Sequence, residues 1–279
     1  MANARFIFSN HWDSATLIQS TGDSAPLLPV THTQQYNNSR VFRSESTQPI
    51  TLLFNWQYPV FLDAFTLWRH NLTSGAQLRI ELFNQANQAG DPVYDSGLIL
   101  ADIPKVLGDL VWGKDPLGVS TYSGWRTATR AVWFEQTRVV LSGRLTILNP
   151  DNPSGYIEIG RIYAGETFSP TFNIDLGHVF QWETQSDAHP TAGGSVHTLD
   201  TAVYRRVSFS LSHLNSADRA QFSELSRNLS IHKDFFIALR PQAGGTMERD
   251  YSFAAKFEQL PSLTAQASRY ETQCSIREV

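Results

Sequence analysis

The sequence predicts a mainly β protein in two parts, an N-terminal β-sandwich followed by a smaller α+β module, an antiparallel sheet with one helix. Three observations predict it. Apolar residues repeat with period two over Ile50, Leu52, Phe54 and Trp56, and again over Leu78, Ile80 and Leu82, with Gln77, Arg79 and Glu81 interleaved. That spacing belongs to strands with one buried face. Aromatic residues make up 12% of the 279 positions, a supply of large rings suited to filling the space between sheets. After Ser169-Pro170 the pattern changes, and one stretch takes helical spacing.

Taken in order, residues 1–38 carry Trp12, the punctuation Pro26-Leu-Leu-Pro29 and a polar tail, and read as an irregular leader. Residues 39–168 read as the sandwich. Strands follow closely up to Phe83, with turn chemistry at Gln48-Pro49 and Ser74-Gly75. The stretch from Asn84 to Gly124 breaks the period and reads as a contact loop. Strands resume at 131–134, 138–141 and 145–148, and a Pro- and Gly-rich turn delivers a closing strand from Tyr156 to Tyr163. Residues 169–279 form the second module. Val203, Val207, Phe209 and Leu211 mark one strand face, interrupted by Arg205; Phe235, Ile237 and Leu239 mark another, and Tyr251, Phe253, Ala255 and Phe257 a third. A last, shorter strand is expected at 273–279. Between the first two lies the helix, expected near 215–229. Asn215 can cap it with Asp218 three residues on, Leu214, Phe222, Leu225 and Leu229 form its apolar stripe, and Arg227 complements its dipole. Thr184 to Thr201, polar and holding Gly193-Gly194, reads as a mobile loop.

Composition excludes several classes. The net charge is −4 and no basic stripe is present, so nucleic acid is not an expected partner. No run approaches the ~20 apolar residues of a membrane-spanning helix, so no membrane insertion is expected. The start, Met1 to Phe8, has too short an apolar core for a secretory signal. A single cysteine allows no intrachain disulfide; Cys274 reads either as a reactive thiol or as a small apolar filler in a terminal strand. Only four of the 22 basic residues are lysine, and an arginine-rich surface suits bidentate pairing at interfaces.

Catalytic motifs are missing: there is no Gly-x-Ser-x-Gly elbow, no His-Glu-x-x-His and no phosphate-binding Gly-x-x-x-x-Gly-Lys loop. The eight histidines show no ligand spacing, so neither metal nor cofactor is expected. Glu158, Glu166, Asp91, Asp95 and Asp102 could supply the paired acids of a glycosidase, or be solvated side chains. His70-Asn71 could line a ligand loop or fix backbone geometry, and Asp151 with Asn152 could hold calcium or form an Asx turn. A sugar stacks its apolar face on a ring while its hydroxyls meet polar groups. Trp112, Tyr122 and Trp125, with Arg126 as hydroxyl partner, are the candidates for that role, against a competing role in packing.

The run Leu67-Trp-Arg-His-Asn-Leu72, continued by Ser74-Gly-Ala-Gln-Leu-Arg-Ile80 and closed by Tyr156-Ile-Glu-Ile-Gly-Arg-Ile-Tyr163, resembles galactose-binding-like (discoidin-type) jelly rolls. With Tyr204-Arg-Arg-Val-Ser-Phe-Ser-Leu-Ser-His-Leu-Asn215 running into its helix, the whole layout resembles structural proteins of bacteriophage tails. The resemblance implies a non-enzymatic virion protein of the tail tip or baseplate, assembled in the host cytoplasm. Its implied partners are other tail proteins, copies of itself and host-surface glycans. A carbohydrate-binding module or lectin is the second reading, and a glycan hydrolase the third.

Overall fold

A computed structural model describes residues 2–123, 125, 128–199 and 201–279. The first nine strands are β1 (Arg5–Ile7), β2 (Thr16–Thr21), β3 (Phe42–Arg43), β4 (Ile50–His70), β5 (Gln77–Phe83), β6 (Tyr94–Asp95), β7 (Ile99–Leu100), β8 (Ala128–Leu148) and β9 (Glu158–Gly165). They are followed by β10 (Val179–Thr184), β11 (Ala188–Pro190), β12 (Val196–Thr198), β13 (Val203–Leu214) and the helix α1 (Ser216–Leu229). Last come β14 (Phe235–Ala238), the short α2 (Gly245–Asp250), β15 (Ser252–Phe257), β16 (Leu263–Ala265) and β17 (Tyr270–Glu278). Among the described residues no helix is long and apolar enough to cross a membrane. The chain divides into two compact units: one runs up to Ser169 and takes in Phe235–Phe253, the other comprises Pro170–Asp234 and Ala254–Val279.

The first unit is a β-sandwich built on two strands of 21 residues, β4 and β8, paired antiparallel. Residues 50–55 of β4 lie between β2 and residues 142–147 of β8, and the latter pair onward with β5. Residues 64–70 of β4 lie instead between β9 and residues 128–133 of β8. Both long strands therefore pass from one layer to the other, as corner strands do. They cross at exposed runs, Gln57 to Pro59 in β4 and Glu135 to Thr137 in β8, where the register slips between Asn55 and Val60. Pro59 has no amide to give to a ladder. The sequence suggests several separate strands here because the exposed run interrupts the apolar alternation, and the later slip between Leu62 and Ala64 breaks its parity, while the backbone runs on. Arg69, at φ 57°, marks a further bulge between Trp68 and His70.

The core between the layers includes Ile50, Leu52, Phe54, Phe65, Leu67, Leu145 and Ile162. Trp12 is fully buried, edge-on to Phe54 at 5.0 Å and to Phe65 at 5.7 Å, and its indole donates to Thr33. Residues 1–38, read from sequence as an irregular leader, thus contribute β2 to the sheet and a central ring to the core. Burying one such ring stabilises by roughly 1.5–3 kcal/mol. On the outer side, β1 pairs with β14, and Phe236 of β14 meets Trp133 and Tyr163.

In the second unit β17 pairs with β13, β15 and β16, and β10 flanks β13. Arg205, Val207, Phe209 and Leu211 share the buried parity of β13. The Asn215 side chain accepts from the Asp218 amide at 2.8 Å, capping α1, which buries Phe222 and Leu229. Cys274 is buried opposite Phe209, and burial pushes its thiol up to about 12, so it stays protonated at neutral pH. Thr184–Thr201, expected to be a mobile loop, instead holds the hairpin β11–β12. Thr191 and Ser195 bond each other through both backbone and hydroxyl, with Gly194 at φ 82° supplying the reversal that only glycine adopts readily.

Candidate functional site

In the second layer of the sandwich, residues 128–133 of β8 pair with β4 on one side and with no described strand on the other. Along that free edge opens a cleft of about 310 Å³, at the small end of the ~300–1,000 Å³ usual for ligand sites. Tyr94 and Trp133 supply its rings, Ile99 and Val132 its aliphatic wall. Its polar lining is Ser96, Arg130, Gln242 and Glu248. Three stretches of chain distant in sequence meet here for local reasons. β6 and β7 bring Tyr94 and Ile99 in from β5, and α2 brings Glu248, anchored where its carboxylate accepts from the Gly244 amide at 3.0 Å. The same turn is tied to the 84–124 insertion: Asp109 accepts from Thr246, and Arg249 donates to the Thr121 carbonyl.

Arg130 and Glu248 give the cleft its electrostatics. Burial lowers the Arg130 pKa, partly offset by the charges of Glu248 and Asp102; burial raises Glu248, partly offset by the Gly244 amide and Arg130. No direct ion pair joins the two among the described residues, although each feels the other's charge. Arg130 Nε and Trp133 Nε1 are buried without a hydrogen-bond partner among the described residues. Buried polar atoms are normally satisfied, and a ligand with hydroxyls in the cleft would satisfy these. Asp102, 2% exposed, is not part of the lining, and burial raises its pKa, partly offset by the charge of Arg130.

His70 also feels the Arg130 charge. The Leu72 amide donates to its Nδ1 at 3.3 Å, which leaves the ring proton on Nε2. Asn71 meanwhile ties the end of β4 to β9, donating to the Tyr156 carbonyl and accepting from the Glu158 amide. The pair therefore shapes the backbone at this turn. Burial, aided by Arg130, pushes the His70 pKa down to about 3. An unfolded histidine protonates near pH 6.5, so the native state is at full strength above that value and loses ~1.4 kcal/mol per pH unit as pH falls towards the folded value. Asp102 and Glu248, both raised, act with the opposite sign. The expected result is therefore a difference: His70→Gln should flatten the dependence of the urea midpoint on pH between about 6.5 and 4.5. An identical slope in both proteins would remove His70 from the account.

The aromatic residues singled out in the sequence are dispersed. Trp112 is 88% exposed. Tyr122 is 4% exposed, packed with Ile103 and Ala128, and Trp125 meets its ring edge-on at 6.5 Å. Arg249 lies over the Trp125 ring at 3.9 Å. Tyr122 and Trp125 thus support the wall that carries Glu248, Trp112 stands apart on the surface, and Arg126 lies outside the described residues. Among the acids considered, Glu158 pairs with Arg43 and Asp95 with Arg79. Sequence reasoning passed over Arg130, Trp133 and Glu248. A signal for Arg130 exists, since it stands in strict alternation with Val132 and Phe134, which pack on the core. Glu248 has no such signal, because the Tyr94, Arg130 and Trp133 it shares the cleft with lie more than 100 residues away in the chain.

No family model matches the chain, and no curated protein matches it. Among solved structures it is similar to a GH29 fucosidase from Ruminococcus gnavus in complex with fucose (10% identity, TM-score 0.39), covering 58% of this chain and 27% of that one. It is also similar to a chitosan-binding module of a chitosanase/glucanase from Paenibacillus (10%, TM-score 0.37), covering 57% of this chain and 99% of that one. A third is the lectin domain of lectinolysin complexed with Lewis B antigen (12%, TM-score 0.37), at 56% and 95%. The latter two are binding modules.

Proposed function

We propose that this chain recognises carbohydrate through the cleft beside β8 and does not turn it over. The observation that carries the reading is the lining itself: two rings, and an arginine and a glutamate that form no direct ion pair, with Arg130 Nε lacking a described partner. A pyranose offers an apolar face to a ring and neighbouring hydroxyls that both donate and accept, so one sugar can bridge a carboxylate and a guanidinium. Hydrolysis would call for two acids flanking a bond, and Glu248 is the only acid in the lining among the described residues. The test is a glycan array followed by calorimetry on the best ligand. Glu248→Gln and Arg130→Met should each weaken binding ~10–100-fold, the loss of one charge-assisted hydrogen bond of ~1.5–3 kcal/mol, with the fold retained by circular dichroism. A blank array from folded protein would refute recognition, and release of reducing sugar would refute the non-enzymatic reading.

The setting we propose is a virion tail tip or baseplate, with other tail proteins and copies of the chain as partners. It rests on the resemblance of the two-part layout to tail proteins and on the arginine-rich composition. Co-purification with tail particles from infected cells supports it; a chain found only free of particles counts against it.

A further inference from the structure

Two histidines that lie eight residues apart in sequence face each other across the hairpin of the second unit. The register of β11 and β12 places His189 directly opposite His197, with Ala188 opposite Thr198 and Pro190 opposite Val196. Residues directly opposite in an antiparallel pair project from the same face, with Cβ atoms ~4.5–5.5 Å apart. Two imidazoles so placed can both reach an ion at the ~2.0–2.1 Å of a zinc–nitrogen bond. Both are exposed and open to solvent.

A second observation concerns the hairpin itself. It forms a two-stranded sheet with no other described strand, and all six of its strand residues are exposed. A hairpin without an apolar face is marginal in water. This one is held at its tip by the Thr191–Ser195 bonds and at its base by the hydroxyls of Thr184, Ser186 and Thr201, which lie 2.8–2.9 Å from one another. Between tip and base, the described residues are joined by the backbone ladder, with His189 and His197 opposite each other at its centre.

We propose that His189 and His197 form a binding site for a divalent transition metal of the copper, nickel and zinc group, clamping the two strands. Imidazole ligands select these ions, with copper(II) held most tightly, whereas calcium and magnesium require oxygen donors. Among the described residues no third His, Cys, Asp or Glu completes a cluster, so the site has two protein ligands and open positions filled by water or by the same pair from a second copy. Ion binding ties the strands together because it takes place only when they are in register.

The experiment is titration of the full chain with copper(II), nickel(II) or zinc(II) chloride, followed by calorimetry and by the imidazole proton resonances. The expected result is one ion per chain, or one shared by two chains, with the resonances of His189 and His197 perturbed together. His189→Ala and His197→Ala should each weaken binding at least tenfold, while His232→Ala, at an exposed histidine elsewhere, leaves it unchanged. Proteolysis within Gly193-Gly194 should slow when zinc is present and return to its original rate in the variants. Excess calcium should not displace the ion. Unchanged affinity in the double variant, or loss equal to that of His232→Ala, would overturn the proposal.

Discussion

Replacing Arg205 by alanine is expected to destabilise the second unit by ~3–5 kcal/mol, the penalty for removing one member of a buried ion pair. The Arg205 side chain is 0% exposed and that of Glu278 8%. The guanidinium grips both carboxylate oxygens, Nε to Oε2 at 2.9 Å and a terminal nitrogen to Oε1 at 2.6 Å, and the Arg205 amide adds a third bond to Oε2 at 2.9 Å. Alanine would leave the glutamate charged and enclosed, on a strand face otherwise made of Val207, Phe209 and Leu211. Urea unfolding followed by tryptophan fluorescence measures the loss. The companion measurement is the double variant Arg205→Met with Glu278→Met, which removes both charges. It should recover most of the stability, since an apolar pair of similar volume avoids desolvating either ion. Equal losses in the single and double variants would mean that packing, and not charge, holds this position.

Gly165→Ala should have a comparable effect on the first unit, ~3 kcal/mol or more. A methyl group there would collide with the carbonyl oxygen of Ser9 and press on Ile7. The obstacle is backbone and cannot rotate away. The N-terminal segment is fastened along this strand: Asn10 donates to the Ile162 carbonyl and accepts from the Ala164 amide, both at 2.9 Å, and Asp13 pairs with Arg161 at 2.6 Å. Pushing it off would strain these bonds and withdraw Trp12 from between Phe54 and Phe65. Gly75→Ala is the control, because nothing lies within 4 Å of the added carbon, and it should stay within ~0.5 kcal/mol of the parent. Hydrogen exchange of β9 amides would show whether the loss begins at this junction.

Much of the fold was legible because its determinants are local. Period two marks strands wherever one face is buried, and the capped start of α1 is written in Asn215 and Asp218. The corner strands were not legible, since the exposed run through Pro59 reads as an ending and the pairing that carries β4 onward lies some 80 residues away in β8. Trp12 looked isolated in a polar leader because its partners come from β4. The same non-local character hid the cleft. Tyr122 and Trp125 are rings in an irregular stretch of sequence, and in the fold they stand beside Arg249, one residue from Glu248 of the proposed cleft. The histidine pair escaped notice because an eight-residue spacing has meaning only once the turn at Gly194 fixes the register.

The two 21-residue strands also determine how the sandwich would respond to force. In sandwiches whose layers are joined only by loops, one layer can slide over the other by breaking side-chain packing. Here β4 and β8 are threads common to both layers, so a pull on one layer travels through covalent backbone into the other. Shear would have to peel two long ladders at once before the layers could part, so the sandwich should stiffen under load where softer sandwiches slip.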